Sequence, residues 1–261
     1  MMNQIHDTMD VISSWYKGNG LLLNAGKCKL IVLKGSKKLD FNFTLRVGDE
    51  VLEEVPAVKL LGVELDNKLS YKEHVDALCK KVSSKIMALK RILPFLSSDK
   101  NLAIANSFVS SELNYCPLIW SFASRTSLNR LQNLQNRVEN FIPGCSHIDL
   151  HRRNCEFLLR EVFKTKNDLN PSYMKKVFSF RNYYPYWTRN QIHINRHRIF
   201  TTRHGLQTAS NIGADLWNAL PSDVRDSDSL SSFSSRLEKL DSLNCRCRLC
   251  AEFVPGPGFV I

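Results

Sequence analysis

No apolar run in the chain approaches the ~18 residues that a bilayer-spanning helix needs. The opening residues, MMNQIHDTMD, lack the basic start and apolar stretch of a secretory signal, so the expected location is intracellular, nuclear or cytoplasmic, with no membrane partner. Cysteine is sparse: eight in 261 residues, far apart except for three near the end. Without a secretory signal these read as reduced thiols, not as a disulfide framework. There is no Gly-rich phosphate loop, no nucleophile elbow and no His-Glu-x-x-His. There is also no Asp-Asp pair and no internal repeat. No independent enzyme site is visible.

What is present is positive charge. The net charge is +11, and its placement matters more than its size. Between His151 and His204 twelve Lys or Arg stand against three Asp or Glu, a local excess of nine. Such a segment can partner a phosphate backbone, an anionic membrane surface or an acidic protein.

Periodicity divides the chain. Residues 3–19 read as a helix with Ile5, Met9, Ile12 and Tyr16 on one face, stopped by Gly18 and Gly20. Short strand-like runs follow: Cys28 to Leu33, the alternating Phe41, Phe43, Leu45 and Val47, and Val58 to Leu65. Gly48-Asp49 is a hairpin-turn signal, and Gly62 predicts a bend or close backbone approach. After Ser70 the period becomes helical. Val75, Leu78, Cys79, Val82, Ile86, Leu89 and Leu93 form one stripe, ended by Pro94. A second helix runs from Asp99 to about Leu113 with Ser98 as cap, and a third carries Leu128, Leu131, Leu134, Val138 and Phe141. Helices near 149–160 and 172–180 are expected, then a basic aromatic stretch without period over 181–205. Two last helices cover 209–220 and the Leu230, Phe233, Leu237, Leu240 stripe, before a Pro/Gly-rich tail. A boundary is expected near 143–148.

Several blocks in order carry a resemblance. Trp15 is followed by Leu23-Asn24-x2-Lys27-Cys28-Lys29-Leu30-Ile31-Val32-Leu33, then by VKLLGVELDNKLSYKEHV from Val58. SELNYCPLIW from Ser111 precedes LNRLQNLQNR, and ADLWNALPSDVRDSDSLSSF begins at Ala214. This order resembles the C-terminal part of the reverse transcriptases of LINE-type, jockey-like non-LTR retrotransposons. The first block is similar to polymerase motif D, the second to motif E (the primer grip), and the helices after it to the thumb. The resemblance implies an α+β fold: residual palm over 1–70, helical thumb over 71–145, a mixed, mostly helical basic aromatic region over 146–243 and a Cys-containing tail over 244–261. It implies a fragment that positions RNA template and DNA primer, with RNA, RNA–DNA hybrid or single-stranded DNA as partner. Two-metal nucleotide addition requires acidic ligands. The resemblance places these in motif C, expected upstream of Met1, with fingers and most of the palm. Mg2+ is therefore expected only for a full-length polymerase, and this chain alone is expected to be inactive. The alternatives are a non-enzymatic single-stranded nucleic-acid-binding module and a decayed open reading frame.

Candidate residues follow. Lys27 matches the motif D lysine, which would offset charge on leaving pyrophosphate; otherwise it is a solvated lysine. Gly62 matches the primer-grip turn, where backbone nears the primer, or is a plain bend. Asp66 matches no metal position and reads as a turn or cap residue. Arg125, Arg130 and Arg137 follow one strand of a hybrid or form a solvated helix face. From Phe157 to Phe200, Phe178, Phe180, Arg181, Tyr183, Tyr184, Tyr186, Trp187, Arg189, Arg196 and Arg198 interleave rings with cations, which suits stacked single-stranded bases; otherwise the rings make a small core of a loosely packed domain. Trp120 and Trp217 read as core. His193 and His197 share a helix face, but neighbouring arginines disfavour a metal there. Cys245, Cys247 and Cys250 are close enough in sequence to take Zn2+, with a fourth ligand from elsewhere that is not identified. The other reading is three free thiols on a frayed tail.

Overall fold

A computed structural model of the chain describes residues 2–33, 43–48, 50–120, 124–142, 147–180, 194–195, 208–245, 247 and 250. These residues are mainly helical, with two small antiparallel sheets. The chain divides into two compact units, Met1–His74 and Val75–Ile261. The boundary expected near 143–148 falls inside the second.

The first unit opens with α1 (Met2–Gly18). Its end is a Schellman cap. Leu21 N–H donates to the Tyr16 carbonyl at 2.9 Å and Gly20 N–H to that of Lys17 at 3.1 Å, with Gly20 at φ +69°. The run from Cys28 to Leu33 is not the expected strand. Among the described residues its pairing is one bridge between Leu30 and Glu54, and a strand needs continuous pairing. The alternating run is β1 (Thr44–Val47), paired with β2 (Glu50–Glu53), and Phe43, Leu45 and Val47 are buried as the period of two requires.

The run from Val58 to Leu65 is not one strand with a bend. It folds back on itself as β3 (Ala57–Leu60) and β4 (Val63–Asp66), with Leu60 opposite Val63. Leu61 and Gly62 are the whole turn. Both have positive φ, 46° and 87°, as a two-residue hairpin whose twist matches its strands requires. Asp66 then organises the exit. One carboxylate oxygen accepts from Lys68 N–H at 3.0 Å and Ser70 N–H at 3.1 Å, the other from Tyr71 N–H at 2.7 Å and the Ser70 hydroxyl at 3.0 Å. These bonds hold Leu69 and Tyr71 in the left-handed region, φ 50° and 54°, which non-glycine residues adopt only when their surroundings impose it. Burial pushes the Asp66 carboxyl upward, but the donors from Ser70, Tyr71 and Lys68 outweigh it and hold it below the usual value.

The helices follow: α2 (Lys72–Ile92) and a 3-10 turn at Leu93–Phe95 built on Pro94; α3 (Ser98–Ala105), a π-helical turn Asn106–Ser110 and α4 (Ser111–Leu113); α5 (Pro117–Trp120), α6 (Arg125–Glu139) and α7 (Leu150–Lys166). After a 3-10 turn at Ser172–Lys176, where a longer helix was expected, come α8 (Ala209–Ala219), α9 (Ser222–Arg225) and α10 (Leu230–Glu238). Ser97, not Ser98, occupies the extended cap position of α3. Glu112 takes Lys81 at 2.8 Å and Lys85 at 2.6 Å, tying α4 to α2.

α7 is the hub. It packs against α5, α6, α8 and α10, and none of its residues from Leu150 to Thr165 is exposed. Phe163 stacks on Phe233 at 4.5 Å, and Trp217 stacks on Phe233 at 5.8 Å. Trp120 and Trp217 are core, as expected. Gln132 of α6 fixes the entry to α7, donating to the Ile148 carbonyl and accepting from Leu150 N–H, both at 2.8 Å.

Two predictions follow from this packing. A Cβ on Gly213 would lie 2.8 Å from a ring carbon of buried Phe178 and 3.3 Å from Val162. Gly213→Ala should cost about 1–3 kcal/mol by overpacking, read from urea unfolding. Asp66→Ala should cost about 1–3 kcal/mol at neutral pH by stranding its donors. Because the folded carboxyl titrates below its unfolded value of about 3.9, that stability is present above about pH 4. It is lost as pH falls through the folded value, so wild type and variant should converge in acid.

Candidate metal centre and nucleic-acid interface

Residues almost a hundred positions apart meet at the start of α7. Asp149 caps the helix, its carboxylate accepting from His151 N–H at 2.9 Å and Arg152 N–H at 3.1 Å. The capped turn fixes His151 and, one turn on, Cys155. The segment after α10 is held against this turn by Arg152, whose guanidinium donates to the Leu240 carbonyl and to that of Asp241 at 2.9 Å. Glu156 fixes the same guanidinium through Nε at 3.0 Å. Leu243 is buried beyond that point, and Cys250 N–H closes a turn onto the Cys247 carbonyl at 2.9 Å.

The result is a cluster of one imidazole and three thiols. Nε2 of His151 lies 3.4 Å from Cys247 Sγ and 3.1 Å from Cys250 Sγ. With Cys245 Sγ, these four atoms all lie within 4.8 Å of one another. Cys247 is buried; the other three are half-buried. Cys155, also buried, lies alongside, its sulfur 3.6 Å from His151 Nε2 and 3.9 Å from Cys245 Sγ. Hydrogen bonds from Cys245 and Cys250 draw the Cys247 thiol far down; Cys245 is raised by its bonds with Cys155 and then Cys247, and Cys250 by its bonds with Cys245 and then Cys247. Burial opposes charge on His151, but the sulfurs of Cys247 and Cys250 outweigh it and raise the imidazole to about 10.

The three cysteines expected as ligands are thus brought together, and His151 joins them. Sequence reasoning missed His151 because a search for the fourth ligand near the cysteines does not reach 94 positions upstream. The available signal was His151-x3-Cys155, one helical turn that puts both groups on one face.

The cationic candidates stand differently. Lys27 is exposed at the end of a 3-10 turn, Ala25–Lys27, and the Asn24 side chain accepts from Lys27 N–H at 3.2 Å. The Asn24-x2-Lys27 spacing is therefore also that of a capped turn. Gly62 lies exposed at the tip of the β3–β4 hairpin. On α6, Arg130 and Arg137 are two helical turns apart on the exposed face, with Arg125 in the first turn. Arg130 is engaged by Asp76 of α2 at 2.5 Å, and Arg137 is exposed. Arg181, Tyr183, Tyr184, Tyr186, Trp187, Arg189, Arg196 and Arg198 lie outside the described residues, as do His193 and His197, while Phe178, expected among the stacking rings, is buried in the core beside Gly213.

Part of the basic excess after His151 is internal wiring. Arg152 and Arg160 meet Glu156 at 3.0 and 3.9 Å, and Arg160 meets Glu238 at 3.0 Å. Lys164 meets Glu161 at 2.7 Å, Lys166 meets Asp226 at 3.7 Å, and Lys175 pairs with Asp168. Burial lowers the Arg153 guanidinium, which lies 5.9 Å from the ring of Phe157. The cations of this segment therefore do not count one for one as phosphate contacts.

The chain is 27% identical over 197 residues to the probable RNA-directed DNA polymerase from transposon X-element of Drosophila melanogaster, covering 68% of the chain and 20% of that protein. It is 25% identical over 143 residues to the RNA-directed DNA polymerase from mobile element jockey of Drosophila funebris, 54% of the chain and 15% of that protein. Over 138 residues it is 27% identical to the probable RNA-directed DNA polymerase from transposon BS of Drosophila melanogaster, 47% of the chain and 15% of that protein. The chain thus spans a fifth or less of the length of these relatives. No family profile matches, and no solved structure matches significantly.

The Arg130–Asp76 pair generates a prediction. Both side chains are partly exposed, 46% and 38%. A double-mutant cycle of Arg130→Ala and Asp76→Ala should return a coupling of only about 0.2–1 kcal/mol, shrinking with added salt.

Proposed function

We propose that this chain, a partial relative of the RNA-directed DNA polymerases of LINE-type, non-LTR retrotransposons, is the part of such a polymerase that positions RNA template and DNA primer, and that it does not catalyse alone. The observation that carries this reading is the similarity to three retrotransposon polymerases, joined to the lack of any Asp-Asp pair. Template-directed addition depends on metal ions held by carboxylates. In a full-length polymerase Mg2+ would be held by residues outside this chain.

The geometry supports a positioning role in two ways. The exposed face of α6 presents Arg137 and neighbouring polar residues on a rigid helix anchored by Leu128, Leu131, Leu134 and Val138. Cations on such a face meet a nucleic-acid backbone without reading sequence. The first unit supports the idea of a piece that works beside more protein. Val11, Trp15 and Leu22 are 69%, 60% and 89% exposed. Ile5, Leu30, Val32, Phe43 and Leu45 line an apolar groove. Apolar surface of this kind is commonly an interaction face, and the absent palm and fingers are its natural occupant.

Fluorescence anisotropy with a labelled RNA–DNA hybrid tests the reading. Binding should weaken steeply with salt, and Arg125→Ala with Arg137→Ala should lower the log–log salt slope by about two. Tyr186→Ala with Trp187→Ala should weaken single-stranded RNA or DNA more than hybrid. With Mg2+ and nucleotides the chain should not extend a primer, and extension would overturn the proposal. Preference for single strands over hybrid would favour a single-stranded binding module. Absent binding together with non-cooperative unfolding would favour a decayed reading frame.

A further inference from the structure

We infer that His151, Cys245, Cys247 and Cys250 bind one zinc ion that clasps the C-terminal segment to the first turn of α7. The ligand atoms already have the dimensions of a coordination shell. A tetrahedral zinc with Zn–S of about 2.3 Å and Zn–N of about 2.0–2.1 Å sets its sulfurs roughly 3.8 Å apart and sulfur from nitrogen roughly 3.6 Å apart. Here the two His151 Nε2–Sγ distances are 3.1 and 3.4 Å, and all four atoms fall within 4.8 Å of one another. Little movement separates this arrangement from coordination.

The donor chemistry selects the ion. Three thiolates and one imidazole suit zinc, whereas calcium and magnesium demand oxygen ligands. Four protein ligands fill a tetrahedron and leave no position for water or substrate, so the centre is structural and not catalytic. The positioning is built rather than incidental. Asp149 caps the turn that carries His151, and Arg152 holds the carbonyls of Leu240 and Asp241 just before the first cysteine. Cys155, buried beside Cys245, is a thiol neighbour of the shell that can donate to a ligating sulfur.

The consequence is topological. The ion links positions 151 and 250, closing a loop of about a hundred residues around the α8 and α10 packing. A cross-link over so long a loop restricts the unfolded chain strongly. The inference stands whether or not the chain handles nucleic acid.

The test is the metal content of the full chain purified under reducing conditions, with zinc alone as the probe. About one zinc per chain is expected, lost in Cys250→Ser and His151→Ala. His151→Cys, which offers a fourth thiolate, should keep it, as should Cys155→Ser and Cys116→Ser. Retention in His151→Cys separates loss of a ligand from failure to fold. Cobalt substitution should give tetrahedral thiolate bands that change in His151→Cys. A reduced wild-type chain that takes up no stoichiometric zinc or cobalt would overturn the inference. So would a Cys155–Cys245 disulfide in its place, or loss of zinc in Cys155→Ser with retention in His151→Ala.

Discussion

The second unit depends on burying a helix that carries many charges. No residue of α7 from Leu150 to Thr165 is exposed, yet the helix includes Arg152, Arg153, Glu156, Arg160, Glu161 and Lys164. Its apolar residues supply the stack of Phe163 on Phe233 and the contacts of Leu158 and Val162 around Gly213. The charges must then be matched or they would oppose the same burial. Glu156 serves two arginines, Glu161 serves Lys164, and Arg160 reaches Ser234 and Glu238 of α10. The arrangement that pairs most of these charges also docks α10 and the segment beyond it, while Arg153 lies beside the Phe157 ring with burial holding its guanidinium below the usual value. The cysteine cluster exists because that docking delivers Cys245, Cys247 and Cys250 to His151.

Much of the local structure was legible in the sequence. The α2 stripe, the α6 leucines and the Phe43–Val47 alternation all bury the residues their periods indicate. What was not legible was set by partners distant in sequence. Val58 to Leu65 reads as one apolar run, because the Leu61-Gly62 turn carries only one turn residue and no polar interruption. Cys28 to Leu33 has strand composition, but composition does not supply a neighbour. Counting charge between His151 and His204 identified a basic segment and missed that Glu238 and Asp226 return to pair with it. His151 was invisible as a ligand for the same reason: proximity across 94 positions is a property of the α7–α10 packing.

These results bear on function in different ways. Similarity to retrotransposon polymerases concerns what those relatives do, and the chain spans a small part of their length. The α6 face and the open apolar surfaces of α1 bear on the contacts proposed for it. The Cys/His cluster concerns how the end of the chain stays in place. Each is carried by different residues, so failure of one leaves the others standing.

Native-state amide hydrogen exchange measures the organising role of α7 most directly. The account predicts that amides from Cys155 to Thr165 are the last to exchange and open only with global unfolding of the second unit. It also predicts that α1, which has no buried residue among those described, exchanges early. Exchange of α7 as rapid as that of α1, with α8 and α10 still protected, would contradict it.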